Sequence, residues 1–292
     1  MLLTPFDPWK STLCTCPPKL TLNPYTGCDH RCIYCYASSY IPRFYDCRPK
    51  KNLLQRLKKE ASKLDNELIS ISNSSDPYPQ LEQELELTRN CLKILGQKNC
   101  RIQIITKSDL VVRDIDILKE IPCVVSITIL TDNDKLSKKL EPGAPISSKR
   151  LKAIETLVKA KIPTTVRIDP IIPFVNDELT ELIETIANIG VQHITSSTYK
   201  VKPDNWQRFR NSFPETAEKL KRIYFTKGKR VGRSTYLPQE IRFDLMKKVK
   251  QLAEKYDLKF GTCREGLNLN SAICDGSWVI DTHKQRKNED IQ

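Results

Sequence analysis

The chain has 292 residues, 39% of them apolar, and a formal charge of +13. That length supports one large α/β unit with appendages and argues against a small disulfide-stapled secreted module. No apolar run is long enough to span a bilayer, and Met1 to Leu13 carries Pro, Asp and Lys rather than a signal peptide, so the expectation is a cytoplasmic protein with no membrane partner.

Strand and helix patterns then alternate along the chain. Leu20–Tyr25 reads as a short strand feeding a cysteine-rich loop. Lys51–Leu64 reads as a basic helix and Glu67–Ile71 as a buried strand. Leucines at helical spacing mark a helix over Pro79–Leu95, stopped at Gly96. Arg101–Thr106 is a third strand, with a short helix after it near Asp114–Ile121. Cys123–Leu130 is β-branched and apolar, as a central strand should be. A helix over Ser148–Ala160, a strand over Thr164–Ile168, a helix over Asp177–Ile189 and a strand over Val191–Thr198 follow. Pro203–Ser212 starts a helix, Gln239–Tyr256 is a long amphipathic one, and Leu258–Thr262 is a last short strand.

Each crossover helix must cover a face of a parallel sheet. The expected fold is therefore α/β, a partial TIM-like barrel of (βα)6 type with a basic C-terminal helical extension. Its expected division is a cysteine-containing segment (1–19), a core barrel (20–200), a basic part completing the barrel (201–282) and a disordered tail (283–292). In such folds sites gather beyond the carboxyl ends of the strands.

The densest chemical signal is Cys28-x3-Cys32-x2-Cys35, three thiols within eight residues. Three thiolates on one loop can hold three corners of a cubic iron–sulfur cluster and leave the fourth iron open to substrate. A zinc knuckle on Cys28, His30, Cys32 and Cys35 is the alternative, but alternate ligands packed into so short a run form a poor tetrahedron. Further polar residues follow the strands. Ser72-Asn-Ser-Ser-Asp-Pro-Tyr-Pro79 can grip a ribose or simply turn the chain into a helix. Lys107 can meet a carboxylate or face solvent. Ser126 and Thr128 sit among apolar neighbours, and Arg167 and Asp169 can form a buried pair.

Between Lys200 and Lys250 there are fifteen Lys or Arg against five Asp or Glu, with aromatics interleaved from Trp206 to Phe243. Such a segment suits a polyanion, with cations on phosphates and rings against bases, or it is a solvated face whose aromatics point into the core. Cys47, Cys91, Cys100 and Cys123 read as small core hydrophobes and His193 as a core histidine. Cys14, Cys16, Cys263 and Cys274 can hold a second iron–sulfur cluster or a zinc ion, supply a redox thiol, or stay unligated. Cys16 precedes the first strand and Cys263 follows the last, which would put them at opposite rims.

Glu141-Pro-Gly-Ala-Pro145 followed by Arg150 reads as a stiff loop after the fourth strand, and the segments NPYTGCDHRCIYCYA, ISNSSDPYP, ITKSDLVVRD, VSITIL, LEPGAP…KRL and VRIDPIIP together resemble the branch of the radical SAM superfamily that includes spore photoproduct lyase. The resemblance runs from about Cys14 to Asn176 and more weakly beyond. It implies a [4Fe-4S] cluster on Cys28, Cys32 and Cys35 whose open iron binds S-adenosylmethionine (SAM) and reduces it to a 5′-deoxyadenosyl radical. It also implies an electron donor such as a ferredoxin or flavodoxin. By the same resemblance Ser75 contacts the SAM ribose, Lys107 and Ser126 also contact SAM, and Tyr34 lies by the adenine. The lyase carries a hydrogen-donating cysteine two residues before the ribose serine, where Asn73 stands here. Repair of spore photoproduct by that route is therefore not implied. Three functions stay open: a radical SAM enzyme modifying or cleaving a lesion in DNA or RNA, one acting on a small molecule or peptide, and a non-catalytic iron–sulfur protein that binds nucleic acid.

Overall fold

The computed structural model describes residues 1–6 and 11–282, so the tail expected over 283–292 lies outside the described residues. Seven parallel strands follow one another across a single sheet in chain order. They are β1 (Leu20–Leu22), β2 (Glu67–Ile71), β3 (Cys100–Thr106), β4 (Cys123–Thr128), β5 (Thr164–Ile171), β6 (His193–Thr198) and β7 (Lys259–Thr262). Thr4–Pro5 adds an antiparallel edge beside β1. β1 and β7 lie at opposite sides of the strand order and do not pair, so the barrel is partial and has an open seam.

Alternation along each strand explains the layering. Ile69, Ile71, Ile102, Ile104, Val125, Ile127, Val166, Ile168 and Ile194 are fully buried and join one core with the surrounding helices. Each such side chain contributes about 2 kcal/mol on leaving water. Ser70, Gln103, Ser126, Thr165, His193 and Thr195 occupy the alternate positions, buried too, and face the barrel interior. The interior is thus polar, which suits a site rather than a packed core.

The covering helices are α1 (Leu53–Ala61), α2 (Leu87–Gly96), α3 (Ser147–Lys159), α4 (Thr180–Ile189), α5 (Pro203–Ser212), α6 (Pro214–Phe225) and α7 (Gln239–Lys255). The helix expected over Pro79–Leu95 is broken into Glu82–Leu85 and α2, with Glu86 left-handed between them at φ 46°. The cause is Glu82, whose fully buried carboxylate accepts from Thr88 N (2.9 Å) and Arg89 N (3.1 Å) and pairs with Arg113 at 2.8 Å. The first strand also ends early, because Pro24 follows it and Tyr25–Thr26 pairs instead with Arg48–Pro49.

The aromatics of the basic segment turn inward. Tyr199, Phe209 and Tyr224 are buried together, with Trp206 and Phe213 packed against them; Phe225 and Phe243 remain exposed. Rings set against bases are therefore not what most of these residues provide. Cys91, Cys100 and Cys123 are buried as expected, while Cys47 is half-buried. The stretch after β7 folds back into the barrel. Val279 and Ile280 pack on Leu68 and Val124, near the starts of their strands, and so plug the end opposite the mouth.

Candidate active site at the carboxyl ends of the strands

The loop bearing Cys28, Cys32 and Cys35 leaves β1 and crosses the barrel mouth. Gly27 is left-handed (φ 84°), and any Cβ there would strike the carbonyl of Phe44, to which Cys28 N donates at 2.7 Å. A second close approach pins the other flank: Gly143 N donates to His30 O at 2.8 Å, and a Cβ on Gly143 would collide with the carbonyl of Asp29. Ile33 N donates to Leu140 O at 3.0 Å. The loop is therefore fixed by backbone contacts, and its thiols are free of that task.

Burial pushes the Cys28 thiol up, helped by the nearby Asp76, and pushes Cys32 up to about 12 against the opposing pull of Lys107. Burial works against the Lys107 ammonium, but Cys32, Glu141 and Asp76 around it outweigh burial and raise its pKa. Lys107 Nζ lies 5.9 Å from the Tyr34 ring centroid. Tyr34 Oη donates to Glu141, which pairs with the buried Arg150 at 2.5 Å. Arg150 also donates to Thr128 O (3.1 Å) and Pro145 O (2.7 Å), tying α3 to the end of β4. Asp76 accepts from Thr106 Oγ1 (2.7 Å) and Lys107 N (2.8 Å) and faces His30 Nδ1 at 3.4 Å. It locks the ends of β2 and β3 to the cysteine loop.

Tyr34 and Lys107 thus lie beside Cys32, while Ser75 follows the end of β2 and Ser126 lies within β4. The hydroxyls of Ser75 and Ser126 are buried and have no partner. A buried hydroxyl left unpaired is costly, and a polar ligand in the cavity is the ordinary remedy. Asn73 is committed elsewhere, to Ser70 (3.0 Å) and Thr21 (3.1 Å). Across the mouth Arg167 pairs with Asp169 at 2.8 Å, and Ser197 Oγ donates to Asp169. Beside them Glu265, 1% exposed, accepts from Thr198 N at 2.7 Å and pairs with Lys200 (3.0 Å) and Arg242 (3.1 Å). In the sequence Asp76 reads only as part of a turn and Glu141 only as the start of a stiff loop, and Glu265 has no separate mark.

His193 is a core residue as expected, with Trp278 Nε1 3.3 Å from its Nδ1 and burial lowering its pKa to about 4. Of the outer cysteines, Cys16 Sγ lies 3.6 Å from Cys274 Sγ and the Cys14 thiol is hydrogen-bonded to Cys16, while Cys263, just past β7, is hydrogen-bonded to Arg167. Among the described residues no three His, Cys, Asp or Glu side chains converge on a single ion position. That is compatible with an iron–sulfur cluster on Cys28, Cys32 and Cys35, since each thiolate of a cubane binds a different iron.

The sequence model of the radical SAM superfamily matches residues 22–186, more than half of the chain, and the protein belongs to that superfamily. It is a radical SAM enzyme, with the [4Fe-4S] cluster and SAM that membership implies. An uncharacterized protein of Methanocaldococcus jannaschii is 36% identical over 53% of this chain, and the match spans 61% of that protein. An uncharacterized protein of Mycobacterium bovis is 25% identical over 83% of this chain and 76% of its own length. Spore photoproduct lyase shares the fold at a TM-score of 0.65 and 17% identity, over 82% of this chain and 74% of that one. The same lyase has been solved in complex with dinucleoside spore photoproduct. Among the described residues no helix is long and apolar enough to cross a membrane.

Proposed function

We propose that the protein takes a hydrogen atom from a nucleic acid substrate held at the mouth of the barrel, with Cys28, Cys32 and Cys35 holding the cluster. Bound together, cluster and SAM supply a primary carbon radical able to abstract hydrogen from an unactivated C–H bond. The chain's own residues bind and orient. Ser75 and Ser126 offer unpaired hydroxyls to the ribose side of SAM, the Lys107 ammonium suits its carboxylate, and the Tyr34 ring suits its adenine. Tyr34 is itself held through Glu141 and Arg150.

The observation that carries the nucleic acid reading is the placement of basic charge. The hairpin Lys229–Val231/Ser234–Tyr236 is tied to the chain leaving β6 by the Val201–Thr235 bridge, and so stands at the mouth. Lys227, Lys229, Arg230 and Arg233 on it are all exposed. Other cations of the segment are already paired: Arg208 with Asp204, Arg242 and Lys200 with Glu265, and Lys248 with Glu178. The hairpin charges are therefore the part of the excess best set to meet phosphates. The spore photoproduct lyase complex with a dinucleoside supports the same substrate class by likeness of fold.

Binding of DNA and RNA should fall steeply between about 50 and 200 mM salt. Changing Lys229, Arg230 and Arg233 together to Ala should flatten log affinity against log salt by about two to three in slope. Salt-independent or absent binding would instead favour a small-molecule or peptide substrate.

A further inference from the structure

The N-terminal and C-terminal segments meet at the open seam between β1 and β7. The N-terminal segment runs along that seam: a Cβ on Gly266, just past β7, would come within 2.8 Å of Leu13 Cδ2. Further along, Lys19 pairs with Asp275 at 2.6 Å, with both side chains buried. Gln103 of β3 joins this pair, accepting from Lys19 Nζ at 2.9 Å and donating to Asp275 O at 2.8 Å. Thr195 of β6 donates to Cys274 O at 2.8 Å. The two chain ends are therefore held in fixed register by buried polar contacts.

Between those anchors the thiols gather. Cys14, Cys16 and Cys274 are hydrogen-bonded in a row, although Cys16 and Cys274 are 258 residues apart in sequence. Cys14 and Cys16 are alternate residues of a chain that is neither helix nor turn there, which favours a shared face. The Cys274 backbone presses on Gly261 of β7, where a Cβ would come within 2.5 Å of it. Cys263 is two residues on and on the same face as Gly261, about 7 Å along the strand. Cys100 and Cys123, by contrast, are each bonded to a carbonyl at 3.4 Å.

We propose that Cys14, Cys16, Cys263 and Cys274 form a second metal site, taking one zinc ion that staples the two chain ends across the open seam. Two thiolates on tetrahedral zinc, at Zn–S of about 2.3 Å, stand about 3.8 Å apart. The 3.6 Å between Cys16 and Cys274 matches that edge. It is far longer than a disulfide, about 2.05 Å. It is shorter than the separation between thiolates on different irons of a cubane. The shell is not converged as it stands, and completing it would take rotamer changes at Cys14 and at Cys263, which would leave its hydrogen bond with Arg167. The staple would close the seam beside the mouth, where a carbon radical must be kept from solvent.

The test counts metal on the full chain with Cys28, Cys32 and Cys35 changed to Ala, produced with iron and zinc both supplied. About one zinc per chain and little iron is expected, and adding Cys16→Ser or Cys274→Ser should lower zinc at least about ten-fold. Native mass spectrometry of the wild-type chain gives the same reading should the triple variant not fold. Stoichiometric iron with sulfide in the triple variant would replace zinc by a second cluster. Zinc indifferent to both serine substitutions, or a Cys16–Cys274 disulfide in protein trapped by alkylation, would overturn the site.

Discussion

Ser75 and Ser126 set the test at the scale of single residues. Each hydroxyl is buried and unpaired, and each is assigned here to SAM. Ser→Ala at either position removes about one hydrogen bond to the cofactor, about 1 kcal/mol, or roughly five-fold in SAM affinity. The same change should not lower the melting temperature, because it deletes an unsatisfied polar atom. Calorimetric titration of the reconstituted protein with SAM checks the first point and thermal unfolding the second. Unchanged affinity in both variants would remove these residues from the cofactor. At this scale the cysteine loop was legible because its spacing is rare, whereas Ser75 and Ser126 were singled out through the family resemblance rather than by spacing. The buried pairing of Asp76, Glu141 and Glu265 was not legible. A lone acidic residue at a strand end looks like any solvated loop residue until its partners are assembled, and those partners come from distant segments.

Secondary elements were read well where period and length agreed. The seven parallel strands lie where the apolar runs are, since buried strands need continuous β-branched stretches. One departure comes from a polar residue overriding local pattern. Leucine spacing carried the expected helix through residue 86, but buried Glu82 terminates it and caps α2. Glu82→Ala should destabilise the fold by about 3–5 kcal/mol, since it strips Arg113, Tyr25 Oη and two helix N–H groups of their shared acceptor. Denaturant unfolding measures this, and a loss under about 1 kcal/mol would mean the carboxylate is not the cause of the break. In the basic segment, charge count and aromatic count pointed to one surface. The structure separates them, with most rings in the core around Tyr199 and cations on α6, the hairpin and α7. The hairpin itself had no strong pattern, being three residues a side.

At the scale of the whole molecule, the barrel divides its labour between faces. Its outer face carries the apolar core, while its interior is lined by Ser, Thr, Gln and His and plugged at one end by the C-terminal stretch. The mouth carries the three-cysteine loop, and the basic hairpin is tied to the chain leaving β6. The Lys19–Asp275 pair at the seam could not be read from sequence, because its partners are 256 residues apart. The most direct measurement of what this mouth acts on is isotopic. The reconstituted enzyme is reduced anaerobically with SAM and with DNA or RNA grown in deuterated medium, and the 5′-deoxyadenosine formed is weighed by mass spectrometry. Transfer of hydrogen from nucleic acid should yield 5′-deoxyadenosine carrying deuterium with the wild type, and none when Cys28, Cys32 and Cys35 are Ala. Abundant 5′-deoxyadenosine free of deuterium with both nucleic acids would contradict a nucleic acid substrate while leaving the radical chemistry in place.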